Sequence, residues 1–210
     1  VSLTAIGLNG NLAGAARLRD ISIELAAEVP TVVIASEERP RRALLRLLSG
    51  ACSITSGELV FREGDQEVDL AQTSALDLAT VRNRGIACSV TVPAPHPTLT
   101  CAQAVAELAH CPLEEAETEL AALGHGHAVA VKVGDTRGSD RSVIPIAASL
   151  LHAARIILVD LTNHPAPEVR QRVLARARRG AAVLIVTDAL YDDLPSTARS
   201  HLLTPDGHLV

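Results

Sequence analysis

The chain has 210 residues, 48% of them apolar and 20% charged, with a formal net charge of -5. This is the make-up of an ordinary soluble globular protein with room for one sizeable core, or a core plus a small subdomain. It excludes a basic footprint for non-specific nucleic-acid binding. With Phe61 and Tyr191 as the sole Phe, Tyr or Trp residues, it also excludes a stacking platform for single-stranded bases.

No apolar run is long enough to span a bilayer. No charged n-region followed by an apolar h-region opens the chain, so no signal peptide is expected and the default location is the cytoplasm. Residues 17–25 alternate apolar and polar and predict a strand with one buried face. Thr31-Val32-Val33-Ile34-Ala35 is a β-branched run of the kind buried on both faces of a sheet. A polar loop from Ser36 to Pro40 follows. A helix is then expected from Arg41 to Ser49, with Gly50 at its C-terminal stop. Residues 57–70 read as a hairpin turning at Glu63-Gly64-Asp65.

A proline-rich loop spans 93–98, and two short helices are expected near 101–110 and 113–123. Residues 124–142, rich in Gly and small polar residues, read as irregular. Ile144 to Ala154 reads as a buried helix. Ile156 to Asp160 is a second buried strand, ending in an acid. Pro167 to Arg179 is an amphipathic helix with a solvated arginine face. Val183 to Thr187 is a third buried strand. His201-Leu202-Leu203 and Gly207-His208-Leu209-Val210 suggest a closing hairpin. Buried strands separated by helices imply an α/β fold with a largely parallel sheet, whose ligands bind at the strands' carboxyl ends: after Ala35, Asp160 and Thr187.

Two side-chain groups bear on metals. Cys52, Cys88, Cys101 and Cys111 form no C-x-x-C pair, so buried, reduced thiols are expected. His125-Gly126-His127 offers two imidazoles but no nearby third ligand in the sequence, and reads as a solvated loop.

Taken together, these segments resemble the nucleotide-binding domain of ABC (ATP-binding cassette) transporters. Leu18 to Leu25 is similar to the strand before that family's phosphate loop. Leu44 to Gly50 and Thr55-Ser56-Gly57 resemble the helix and "T-S-G" segment after it. Pro97-Thr98-Leu99-Thr100 resembles the "P-x-L-T" that follows the glutamine loop, and Ser149 to Asp160 the run from signature helix to second acidic motif. Thr162-Asn163-His164 is similar to the family's "T-N-H", one residue short. The resemblance spans almost the whole chain in order. It implies a P-loop NTPase-like ABC ATPase fold: a mostly parallel core sheet, an antiparallel β portion and a small helical subdomain. The expected organisation is one domain over 1–210, with the helical part inserted at about 92–150.

The motifs depart from the family together. A phosphate loop reads G-x-x-x-x-G-K-[ST]: glycines let backbone N–H groups curl round the phosphates, the lysine reaches them, and the hydroxyl binds magnesium. The aligned residues are Ala35-Ser36-Glu37-Glu38-Arg39-Pro40-Arg41-Arg42-Ala43. Ala35 and Pro40 stand at the glycine positions, Arg41 at the lysine, and Arg42 and Ala43 at the hydroxyls. Pro40 has no N–H to give, and arginine keeps the charge without the compact ammonium. Glu37 and Glu38 bring negative charge to where a phosphate would sit. The expectation favoured here is that the arginines pair with these glutamates and fill the phosphate site from within; for Arg41, phosphate pairing stands equally.

Thr91 falls at the glutamine position and Leu161 at the glutamate that polarises water; a leucine neither accepts a proton nor orients a nucleophile. Asp188 stands at the switch histidine. The signature L-S-G-G-Q reads Thr136-Arg137-Gly138-Ser139-Asp140, keeping one glycine. Asp160 matches the magnesium-holding acid, though a sheet-end acid capping its own loop is the plainer reading. No catalytic residue is therefore expected, nor ATP or Mg²⁺ as cofactor unless the family activity persists.

The resemblance implies a pseudo-ATPase, cytoplasmic or peripheral at the inner face of the membrane. Its partners would be a second such subunit, identical or active, and a membrane permease docked near the proline-rich loop. A weak atypical ATPase using Arg41 and Asp160, or a stand-alone regulator or scaffold, are the alternatives.

Overall fold

The computed structural model describes all residues except 12–16, 163 and 165; Asn163 of the "T-N-H" segment therefore lies outside the described residues. Strands β1 (Ser2–Asn11), β2 (Arg17–Ala26), β4 (Ile54–Glu63) and β5 (Gln66–Asp69) form an antiparallel sheet in the order β2-β1-β4-β5. Strands β3 (Thr31–Ile34), β6 (Ile86–Cys88), β7 (Ile156–Asp160), β8 (Ala182–Thr187) and β9 (Arg199–Leu202) form a parallel sheet in the order β6-β7-β8-β3-β9.

The parallel sheet divides two cores, because alternate residues of a strand face opposite sides. Val33, Leu158, Leu184 and Val186 face the antiparallel sheet and helix α1 (Glu38–Leu48), which buries Leu44, Leu45, Leu47 and Leu48 there. Val32, Ile157, Val159, Val183 and Ile185 face the other core. That core is completed by α3 (Cys101–Ala109), α4 (Leu113–Ala122), α5 (Ser139–Leu151) and α6 (Pro167–Arg178). Each of these sheet residues is fully buried, so β3, β7 and β8 need apolar side chains on both faces. That is why they read as unbroken β-branched runs.

The ends of α1 show how local chemistry positions the strand-end loop. Its C-terminus is closed by Gly50 at φ 66°. The Gly50 N–H donates to the Leu47 carbonyl (3.0 Å) and the Ala51 N–H to that of Arg46 (2.8 Å), the paired bonds of a Schellman stop. At the other end α1 begins at Glu38, earlier than the Arg41 start expected from the sequence. Pro40 falls in the first turn, where its missing N–H has no helical partner to lose.

Several boundaries differ from expectation. β1 escapes sequence reading because a bulge at Gly7 (φ 54°) shifts its buried set from Leu3 and Ala5 to Leu8 and Gly10, breaking the alternation. Helix α2 (Ala75–Gly85) also escapes it, since only Gly85 is buried and no apolar stripe marks it; Ser74 caps it by accepting from the Asp77 N–H at 3.2 Å. α5 starts at Ser139, not Ile144, and runs through Pro145. Two short 3-10 turns, Gly126–Ala128 and Val133–Asp135, occupy the stretch expected to be irregular. At the C-terminus Leu202 and Val210 exchange two backbone bonds of 2.7 and 2.9 Å, closing the expected hairpin, while β9 itself extends the parallel sheet beside β3.

Cys88 and Cys101 are buried and Cys52 and Cys111 half-buried, all four as thiols. No described helix is long and apolar enough to cross a membrane.

Candidate functional site

The carboxyl ends of β3, β7 and β8 converge, as parallel strands with helices on both faces require. A cleft of about 540 Å³ opens beside them, lined by Glu38, Arg41, Arg42, Ser89, Asp160 and His164 among others. Arg41 is buried at its floor. Its Nη1 donates to the Ala35 carbonyl at 2.9 Å, and its Nε lies 3.7 Å from Asp160 Oδ2, with side chains 7% and 19% exposed.

Asp160 is held from the other side. Its Oδ1 accepts from the Thr162 N–H (3.0 Å) and hydroxyl (2.7 Å), and its own N–H donates to Ser89 Oγ (3.1 Å). The acid thus caps its loop and balances a buried guanidinium at once. The expected pairing of Arg41 with Glu37 or Glu38 is corrected by this geometry. Both glutamates are exposed beside the first turn of α1, and Glu38 pairs instead with Arg42, four residues on, at 3.1 Å on the surface. Arg41 turns inward because its methylene stem is buried with α1, leaving Asp160 and the Ala35 carbonyl as the polar groups it meets.

No family model matches the chain. Among solved structures, the dimeric MJ0796, a bacterial ABC transporter cassette, aligns at 14% identity over 99% of this chain and 96% of its own, with a TM-score of 0.75. A putative ABC transporter ATP-binding protein from Pyrococcus furiosus aligns at 13% identity over 95% and 97%, with a TM-score of 0.69. The ATP-binding subunit of an ABC transporter aligns at 15% identity over 100% and 88%, also at 0.69. The chain has the fold of an ABC transporter ATP-binding cassette. Glu38, Arg39 and Pro40, which the G-x-x-x-x-G frame assigns to open loop, are wound into α1.

The other singled-out positions scatter around the cassette. Ser36, Glu37 and Arg39 are exposed on the loop and first turn, and Ala43 is buried under α1. Thr91 lines an adjoining cleft of about 850 Å³, with its hydroxyl spent on the Cys88 carbonyl at 3.1 Å. Leu161 is fully buried in the helical-side core and Asp188 is exposed beyond β8. Arg137, Gly138 and Ser139 are exposed at the start of α5, where Gly138 adopts φ 55°. The structure brings Arg41, Arg42, Glu38 and Asp160 to one cleft and leaves the signature-like residues apart from it.

Two residues at the cleft, Ser89 and Arg141, were missed in the sequence, and a third, His164, was noted there only as part of the "T-N-H" segment. Ser89 follows the three-residue β6 and carries no motif. Arg141 lines the cleft from the first turn of α5. His164 is 2% exposed with its Nε2 unpartnered, and burial holds its pKa down to about 4, so it is neutral near pH 7. A further correction concerns His125 and His127. A third ligand atom is present: Asp140 Oδ1 lies 2.7 Å from His125 Nδ1 and 3.0 Å from His127 Nε2.

Proposed function

We propose that this chain is a non-hydrolysing ATP-binding-cassette subunit whose phosphate site is filled by its own Arg41–Asp160 pair. It acts by pairing with a second cassette, identical or active, and by docking on a membrane permease. The observation that carries this reading is the inward turn of Arg41. Its Nη1 donates to the Ala35 carbonyl at the end of β3, and its Nε faces Asp160 as an ion pair at 3.7 Å.

The residues present do not fit a magnesium triphosphate. The wound α1 start and Pro40 remove curved backbone and one donor from the loop. The positions of the magnesium hydroxyl carry Arg42 and Ala43, and the position of the water-activating acid carries the buried Leu161. Asp160 Oδ1 is spent on Thr162, and Oδ2 faces the Arg41 guanidinium at 3.7 Å. The pairing half of the reading draws on the MJ0796 cassette, which is described as dimeric, including bound to ADP and phosphate.

Thermal melting with millimolar Mg-ATP tests it. A ligand at a hundred times its Kd stabilises by ~2.7 kcal/mol. The expected result is no shift with or without magnesium. A clear magnesium-dependent rise in Tm would overturn the reading and favour a weak ATPase built on Arg41 and Asp160.

A further inference from the structure

Helix α4 is followed, after Leu123, by Gly124-His125-Gly126-His127, and the 3-10 turn Gly126–Ala128 folds the two imidazoles toward one point, their ring centroids 5.8 Å apart. Asp140, the second residue of α5, reaches that point from the far end of the same connection. A single carboxylate oxygen faces both rings, at 2.7 and 3.0 Å, and the three ligand atoms all lie within 4.8 Å of one another.

Two imidazole nitrogens aimed at one carboxylate oxygen leave two possible occupants of the space between them. Protons fill it if each ring carries its N–H toward Asp140; a metal ion fills it if both nitrogens present lone pairs. Zn²⁺ takes nitrogen and oxygen ligands at about 2.0–2.2 Å, so tetrahedral ligands stand about 3.4 Å apart. Opening the 2.7 and 3.0 Å contacts by roughly half an ångström reaches that spacing, a side-chain adjustment. His125 is buried, whereas the His127 side chain is 65% exposed, which gives the ion a route in and an open coordination position. A second observation lies beside the cluster: His164, whose ring meets that of His125 edge-on at 6.1 Å, buries an Nε2 with no hydrogen-bond partner.

We propose that His125, His127 and Asp140 form a Zn²⁺ site that pins the connection between α4 and α5 to the first turn of α5. Two imidazoles, one carboxylate and a free position are a donor set suited to Zn²⁺. The ion would fix the exposed Arg137-Gly138-Ser139 turn, whose flanking segments carry all three ligands. The site adjoins the strand-end cleft through His164 but takes none of its ligands from the cleft lining, and its presence does not depend on whether nucleotide binds.

The full chain is stripped with a chelator and titrated with ZnCl2 by calorimetry, with Co²⁺ absorption as the spectroscopic check. The expected result is one ion bound at micromolar Kd or tighter, with Tm raised by about 5–10 °C at a hundred times that Kd. Bound Co²⁺ should lack the near-ultraviolet charge-transfer band of a thiolate ligand. His127→Ala, a change on the surface, and Asp140→Asn should each weaken binding at least tenfold, and Cys111→Ser should leave it unchanged. Failure to bind at 100 µM Zn²⁺, a thiolate band, or wild-type affinity in both ligand variants would overturn the assignment.

Discussion

Breaking the Arg41–Asp160 pair measures what holds Arg41 at the strand ends. Two unit charges 3.7 Å apart attract by about 4 kcal/mol at an effective dielectric of 20 and about 1 kcal/mol at 80. Arg41 is nearly enclosed and Asp160 only partly so, which places the pair between these limits. Desolvation takes back part of the gain. A coupling of about 1–3 kcal/mol is therefore expected from a cycle of Arg41→Met, Asp160→Asn and the double variant.

Arg41→Met alone should cost about 2–4 kcal/mol, because it also removes a charged hydrogen bond to the Ala35 carbonyl. Asp160→Asn should cost a similar amount: an amide oxygen still accepts from Thr162, but the nearly enclosed Arg41 charge is left unpaired. Urea unfolding of the four proteins at pH 7 reads the coupling, and repeating it in 1 M NaCl should reduce it only modestly, as burial limits screening. A coupling below about 0.5 kcal/mol, within the scatter expected of non-interacting sites, would refute the view that Asp160 holds Arg41 in place.

The ion pair between α4 and α6 should respond asymmetrically to its two deletions. Glu119 is buried, accepting from Arg172 Nε at 3.1 Å and from its Nη2, whereas the Arg172 side chain is 36% exposed. Arg172→Ala should cost about 3 kcal/mol by stranding a buried carboxylate, with nearby Arg176 softening the loss. Glu119→Leu should cost well under half of that, because the freed guanidinium reaches water; equal losses in chemical denaturation would contradict this. His152 supplies a pH dependence. Burial first, then His110 and Arg176, hold its pKa below the ordinary histidine value, and its Nδ1 accepts from the Ala154 N–H at 3.1 Å. The unfolded chain therefore binds the proton more readily, and stability present above about pH 6.5 is lost as pH falls below it. His152→Asn keeps an acceptor without the proton and should flatten that limb of a stability–pH curve; an unchanged slope would assign the acid loss elsewhere.

What could be read from the sequence was what repeats locally. β3, β7 and β8 announce themselves because both faces are buried, so no polar residue interrupts them. The capping role of Asp160 was legible too, since Thr162 lies two residues on. β1 was hidden by its own bulge, and α2 by a surface position that asks for no apolar stripe. The Arg41–Asp160 contact joins the first helix to a strand in the last third of the chain, and no spacing rule reaches that far. The glutamates next to Arg41 were the obvious partners in one dimension, but the helix carries them outward while the arginine stem packs inward. Asp140 was noted as part of a signature-like turn and His125 and His127 as a glycine loop. Only the folding of the intervening segment through two 3-10 turns makes them neighbours.

The alternation along the parallel strands makes this protein unusually easy to interrogate one side at a time. Consecutive residues such as Val32 and Val33, or Ile157 and Leu158, are adjacent in the chain yet immersed in separate compartments. Isotope-labelled methyl groups at such pairs would form matched reporters, differing in little but the side they face. A binding event confined to the helical side would move the resonances of Val32, Ile157 and Val183 and leave those of Val33, Leu158 and Leu184 in place. A perturbation seen by both sets would mean that the sheet itself had shifted.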